Sequence, residues 1–311
     1  MKRFFMSLLV LLLVLIGALA WQFMPSPLPV PNDLVVQVPP ANPPPELKVS
    51  VLFTGQILSK AGLAYRGGSL SEERSSQMAP ILVEHPRGTL MIDAGFGRNV
   101  DAHMAAAQFL VRALSKYEKG VPAAEQLKSS GYDFGKLKGI VLTHAHWDHS
   151  SGAEDLPEVP LWVPQAEMDF IRECGHQAAL TCGFGERPYQ VYAFEGGPYL
   201  GFDSHHDVWG DGSVVMVPAP GHTPGSVIVF VTLAGGQRYA FVGDLAWAKE
   251  GIDIPAERPL LGRMAVAEDA AQVRRALVHM HQLQRALPNL LVVPAHDLRV
   301  LTKLPRYGNA S

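Results

Sequence analysis

The sequence is poor in the features that mark several functional classes. It has 2 Cys in 311 residues and no Cys-x-x-Cys pair, so neither a disulfide-built miniature fold nor a thiolate metal knuckle is available. Basic side chains give no excess: Lys+Arg 26 against Asp+Glu 29 leaves a formal net charge of −3. Nucleic acid binding, driven by counterion release at a basic surface, is therefore disfavoured. Charged residues are 18% and hydrophobic ones 48%, which excludes a disordered chain, and the length permits one large core or two moderate ones. No internal repeat recurs at a fixed period, and no low-complexity tract follows the first 45 residues. What is plentiful is proline (25), histidine (12) and one uncharged apolar run.

That run, FFMSLLVLLLVLIGALA over residues 4–20, follows Lys2 and Arg3 and ends at the small-x-small triplet Ala18-Leu19-Ala20. A basic start, an apolar stretch and a small-residue site describe a signal peptide over residues 1–24. Read on through Met24, the run approaches the roughly 20 residues that span a bilayer, so an uncleaved anchor is the other reading. Either way the body is expected outside the cytoplasm, periplasmic or secreted, and membrane contact is expected only through this segment if it is retained. No Cys follows the run, so lipoprotein attachment is unsupported. Removal of residues 1–20 takes Lys2 and Arg3 with it and leaves a more acidic body. Residues 25–46 are proline-rich and read as a semi-rigid linker. The folded domain is expected over residues 47–305.

Short apolar runs at 49–53, 80–85, 89–93, 139–144, 160–164, 213–219, 226–233, 237–244 and 290–296 read as strands, and residues 101–117, 164–173 and 268–286 as helices. In the last helix Val273, Leu277, Met280 and Leu287 recur at helical spacing and define a buried face. Strands mixed with helices throughout imply a layered α/β domain. Residues 61–78 are either a flexible lid or a plain surface loop. The aromatic-rich segment 170–209 is either a substrate wall or ordinary packing, and His205 and His206 within it read as exposed. Cys174 and Cys182 are placed to form a disulfide in an oxidising compartment, or a buried thiol pair. His103 reads as a surface residue.

The chemistry concentrates after the strand GIVLT, where His144-Ala145-His146-Trp147-Asp148-His149 offers four ligands within six residues. Imidazole and carboxylate are the groups that bind zinc and related ions. Three later apolar strands each end at a further ligand: SVVMVPAPG at His222, RYAFVG at Asp244 and LLVVPA at His296. Singly each is an ordinary turn residue. Together they supply seven ligands, enough for a two-metal site with a carboxylate between the ions.

In this order, His144-x-His146-x-Asp148-His149, then Gly221-His222-Thr223-Pro224-Gly225, Gly243-Asp244 and His296, the sequence resembles the metallo-beta-lactamase fold superfamily of hydrolases. Asp93, in the strand TLMIDAGFG, is similar to that superfamily's early Asp-x-Gly turn. The resemblance implies an α/β fold of four-layer αββα sandwich type with the metals at one edge. It implies His144, His146 and His222 on one metal, Asp148, His149 and His296 on the second, Asp244 between them, and Asp93 orienting the ligand loop. Two divalent ions are expected. Zinc suits imidazole and carboxylate without thiolate, while iron, manganese and cobalt bind the same groups.

Two such ions would lower the pKa of a bridging water and polarise the substrate's oxygen, with the bridging hydroxide as nucleophile and Asp148 carrying the proton to the leaving group. Superfamily enzymes that open beta-lactam rings generally lack the bridging carboxylate, so Asp244 argues against that reaction. Flavodiiron-type proteins place an acidic residue where His146 stands, and the nucleases carry a further domain or basic arm. The ligand pattern is most similar to acyl-homoserine lactonases and to hydroxyacylglutathione hydrolases (glyoxalase II). It departs from the former at Trp247, where they usually carry Tyr, and from the latter in lacking a basic C-terminal region. A lactone or other carboxylic ester is the expected small-molecule substrate, ahead of phosphoesters and thioesters. A metal-binding scaffold without turnover is the alternative of another class.

Overall fold

The computed structural model describes residues 2–31, 34–106, 112, 116–266 and 268–308. Each apolar run expected to be a strand is one, shifted or trimmed by no more than three residues at either end. The strands are β1 (Lys48–Val51), β4 (Ile81–His85), β5 (Gly88–Ile92), β7 (Leu137–Val141), β8 (Leu161–Pro164), β11 (Val214–Pro218), β12 (Val227–Thr232), β13 (Arg238–Phe241) and β14 (Leu290–Val293). Five others lacked an apolar signature: β2 (Gly55–Lys60), β3 (Glu73–Met78), β6 (Lys116–Lys119), β9 (Tyr189–Tyr192) and β10 (His206–Asp207).

Among the described residues the strands form three sheets, ordered β1-β4-β5-β7-β8-β9, β10-β11-β12-β13-β14 and β3-β2-β6. In the first, β5, β7, β8 and β9 run parallel; in the second, only β13 and β14 do. Successive strand residues point to opposite faces, which explains the layering. Val214 and Met216 of β11 join Val83, Ile92 and Val141 in a core between the two large sheets. Val215 and Val217 face the other way, against Val273, Leu277, Met280 and Leu283 of the helix Ala270–Ala286. On the outer side of the first sheet, Met91, Ile140 and Leu161 pack against Leu127, Met168 and Ile171 of the helices Ala123–Ser129 and Gln165–Arg172. Helix, sheet, sheet, helix is the αββα sandwich. Each fully buried side chain of this kind contributes about 1.5–3 kcal/mol.

The helix Ala270–Ala286 begins where Asp269 accepts hydrogen bonds from the N–H groups of Ala271 and Gln272, a cap that stabilises by about 1 kcal/mol. The helix expected over 101–117 is corrected: Val100–Ala106 is helical, whereas Lys116 and Tyr117 belong to β6, which pairs with β2. Residues 107–111 and 113–115 of that expectation lie outside the described residues. The reading of 61–78 as a lid or plain surface loop is corrected in part, since Ala61–Ala64 is a short helix and Glu73–Met78 is β3, paired with β2.

The apolar N-terminal run is a helix, Lys2–Trp21, exposed along its length and long and apolar enough to cross a membrane. The proline-rich segment that follows lies along the body. Leu28, Leu34 and Val36 pack partly buried on the second sheet's outer core, and the N–H groups of Leu28 and Asn42 donate to the carbonyls of Pro255 and Asp211. Cys174 and Cys182 form a disulfide with their Cα atoms 5.5 Å apart.

Candidate metal centre

Each apolar strand stops its ladder three or four residues before its candidate ligand, and the chain then turns that side chain inward. His144 to His149 follow β7, His222 follows β11, Asp244 follows β13 and His296 follows β14. Because β13 and β14 are parallel, Asp244 and His296 leave the same end of the second sheet. Gly243 makes the turn before Asp244 at φ 52°, left-handed backbone that suits glycine.

The seven predicted side chains come together. One ligand atom each from His144, His146 and His222 lies within 4.8 Å of the others, and the same holds for Asp148, His149 and His296. Nδ1 of His146 is 3.0 Å from Nε2 of both His144 and His222. Asp244 stands between the trios, Oδ1 at 2.9 Å from His296 Nε2 and 3.2 Å from His149 Nε2, Oδ2 at 3.4 Å from His222 Nε2.

The outward ring nitrogens are held by other groups. His149 Nδ1 donates to Asp93 Oδ2 at 2.8 Å, and Asp93 also accepts from the N–H and hydroxyl of Thr143. His296 Nδ1 donates to the Gln77 carbonyl at 2.8 Å. His222 Nδ1 faces the buried Arg258–Glu268 ion pair, 3.2 Å from Arg258 Nη2. Such partners fix ring orientation at metal sites. Asp93 adopts φ 56°, uncommon for a residue with a side chain, at the point where the first strand-end loop meets the second.

Burial drives His144 and His146 well below the usual imidazole range and lowers His222, which keeps their lone pairs free. Burial opposes charge on His149 and His296 too, but Asp93 and Asp244 outweigh it at His149, and Asp244 at His296, so both are raised. Asp244 is held well below the carboxylate range because His296 and His149 outweigh its burial. Neutral imidazoles on one side and carboxylates that demand positive charge on the other form a donor set that fits divalent cations. Asp244 Oδ1, buried and facing His149 and His296, has no hydrogen-bond partner, as expected of an atom that serves a metal.

Three buried groups around the ligands escaped the sequence reading. Glu167 accepts from Ala145 N at 2.6 Å, Thr223 Oγ1 at 2.8 Å and Gly225 N at 2.9 Å, tying the His144–His149 loop to the His222 loop. Burial pushes its carboxyl up to about 7, against hydrogen bonds that favour the ionised form. The one available signal was a Glu on the apolar stripe of its helix, four residues before Ile171. A Cβ on Gly225 would strike the Glu167 backbone, so glycine is needed there for close approach. Arg258 donates to the Asp244 carbonyl at 2.7 Å and lies 4.7 Å over the Trp247 ring. Arg258 and His222 outweigh burial at Glu268 and hold its carboxyl down at about 2. Trp247 donates from Nε1 to Asp244 Oδ2 at 2.7 Å.

A cavity of about 510 Å³ opens onto the cluster, with His146, Asp148, Asp244 and His296 at its base and Ile57, Met78, Trp147, Phe184 and Trp247 among its walls. Of the aromatic-rich segment, Phe184 and His176 reach this cavity, whereas Tyr192 and Tyr199 are core residues of the two sheets. His205 and His206 take no part; each ring bonds a backbone carbonyl. His103 is corrected from surface to buried: it lines the cavity and contacts Ser151 at 2.8 Å and Glu154 at 3.1 Å.

Residues 79–296 match the family model described as the metallo-beta-lactamase superfamily. The Probable metallo-hydrolase Rv2300c of Mycobacterium tuberculosis is 32% identical over 238 residues, 70% of this chain and 73% of its own. The N-acyl homoserine lactonase AttM of Rhizobium radiobacter is 25% identical over 226 residues, 70% of this chain and 80% of its own. Among solved structures, an N-acyl homoserine lactone hydrolase with the product N-hexanoyl-L-homoserine bound superposes with a TM-score of 0.65, covering 85% of this chain and 98% of that one, at 16% identity; that likeness shows the fold. On the family match and the mycobacterial relative, the chain belongs to the metallo-beta-lactamase superfamily and is a metal-dependent hydrolase.

Proposed function

We propose that this chain is an exported hydrolase with a binuclear centre, acting on a lactone or other carboxylic ester. One observation carries the reading: a trio of histidines and a trio of one Asp and two His, with Asp244 between them, open onto a large, mainly apolar cavity. The lactonase relatives support the choice of bond. His144, His146 and His222 would hold one ion, Asp148, His149 and His296 the other, and Asp244 both; zinc suits this set. When bound, such ions supply Lewis acidity toward the scissile carbonyl and a water of lowered pKa.

The protein's own groups do the rest. Asp148, half-buried at the base of the cavity with Oδ2 3.6 Å from His296 Nε2, is placed to take a proton from attacking water and return it to the leaving alkoxide. Trp147, Phe184 and Trp247 supply apolar walls that seat a substrate and limit bulk water. Trp247 and Arg258 fix Asp244 from its side chain and its carbonyl.

The test is Asp148→Asn in zinc-loaded protein against panels of lactones, aryl esters and phosphodiesters. The native protein turns over lactones or esters, and the variant loses about 10²–10⁴-fold in kcat. Turnover of phosphodiesters alone, or no turnover by the zinc-loaded native protein, overturns the reading.

A further inference from the structure

The helix Lys2–Trp21 leaves the body from a defined seat. Arg66, itself buried, donates from Nη2 to the Trp21 carbonyl at 3.0 Å and from Nε to the Gln22 carbonyl at 3.1 Å, and its guanidinium lies 4.7 Å over the Trp21 ring. A cation on the last carbonyls is favourable at a helix C-terminus. Gly67 N–H donates to the Phe23 carbonyl at 3.0 Å, and Leu260 N–H to Gln22 Oε1 at 3.3 Å. With the proline-rich segment packed on the body, the apolar helix is fixed to the domain at its root.

The root adjoins the mouth of the cavity. The short helix Leu260–Ala265 starts at Gln22, and Leu261, Gly262, Ala265 and Val266 line the cavity opposite Leu63. This rim is apolar and open: Leu260 is 40% exposed, Leu261 46%, Met264 68%, and Leu70 52%. An apolar group of this kind marks an interaction surface. Its continuity with a helix of about 30 Å, the thickness of a bilayer's hydrocarbon, identifies the partner. Lys2 and Arg3 at the far end place that end on the cytoplasmic side.

We propose that Lys2–Trp21 is retained as an anchor and that the Leu260–Ala265 rim docks on the outer surface of the same bilayer, so that the cavity receives acyl-chain esters or lactones directly from the lipid. Trp21 then sits at the interface, where amphipathic aromatic rings collect. The carboxyl carbon of such a substrate reaches the metal trios while its chain lies along Leu261 and Leu63. This rests on the ester-hydrolase reading for its chemistry, but not for the docking.

The experiment uses the full chain in phosphatidylcholine/phosphatidylglycerol vesicles, with an environment-sensitive fluorophore on Met264→Cys or, for comparison, on Lys128→Cys. Spin-labelled lipid is expected to quench the probe at 264 strongly and the one at 128 little. The double variant Leu260→Glu/Met264→Glu is expected to lose about ten-fold in kcat/KM on a long-chain ester dissolved in the vesicles and nothing on a short, water-soluble ester. Quenching at 264 without turnover of either ester upholds docking and removes the hydrolase reading. No quenching at 264, equal quenching at both sites, equal loss on both esters, or recovery of the native protein as a soluble chain beginning at Trp21 overturns the proposal.

Discussion

Glu167 shows how much of the metal centre depends on a side chain that holds no metal. Its two oxygens satisfy the N–H groups of Ala145 and Gly225 and the hydroxyl of Thr223, all buried. Glu167→Ala leaves the Ala145 and Gly225 N–H groups unpaired, at about 1–3 kcal/mol each, while the Thr223 hydroxyl keeps Ser226. We expect a lower Tm and, as a readout that loss of stability alone would not give, weaker zinc affinity in protein still folded at the assay temperature. Titration of the folded variant with zinc checks this; unchanged affinity sinks the positioning role. The gathering of the seven candidate side chains was legible because imidazole and carboxylate are rarely placed at four strand ends without a metal. Glu167 was not, because its partners lie 22 to 58 positions away and nothing local announces them. The Arg258–Glu268 pair, joined across the helix Leu260–Ala265 beside His222, was hidden because that helix and its turn back carry no signal of the pairing.

At the scale of elements, strands buried on both faces were readable as unbroken apolar runs: β5 and β12 are buried at every position. The β3-β2-β6 sheet was not. Glu73–Met78 reads ERSSQM, and its shape comes from pairing with β2 rather than from its own composition. Two contacts between elements give measurable consequences. Cys174 and Cys182 clasp a loop whose His176, Gln177, Ala179 and Leu180 form part of the cavity wall. Cys174→Ser/Cys182→Ser should cost about 2–3 kcal/mol by loop entropy and raise KM more than it lowers kcat; thermal melts and steady-state kinetics read the two effects.

Glu250 joins three elements, accepting from Arg74 of β3 and from Arg299 of the helix Leu298–Leu301. Burial opposes it, yet the two arginines hold its carboxyl down at about 2. A depressed carboxyl stabilises above its unfolded pKa and loses that contribution as pH falls toward 2. Glu250→Gln should therefore lower Tm at pH 7, by a difference that narrows progressively below about pH 4.5. A difference constant with pH would contradict the assignment.

For the whole molecule, a layered α/β domain was legible from strand and helix order, and the αββα arrangement and the meeting of the candidate ligands from the resemblance. The seat of the N-terminal helix was not, since it depends on Arg66 and Gln22 finding each other across the fold. Because both sheets contribute candidate ligands, cation binding at the proposed site is expected to act on the stability of the entire domain. Zinc at 100 times its Kd adds about 2.7 kcal/mol per site; added zinc should raise Tm by several degrees, and a chelator should reverse it and abolish turnover. An unchanged melt in excess zinc would argue against the site.

Each large sheet is also built from one continuous half of the chain, β1 to β9 ending at Tyr192 and β10 to β14 beginning at His206. The first half carries His144, His146, Asp148 and His149, and the second carries His222, Asp244 and His296. A single cut between residues 193 and 205 therefore yields two polypeptides, neither of which owns a complete trio of either kind, so on the proposed ligand assignment activity is expected only when the fragments are reunited, and metal is expected to favour their reunion.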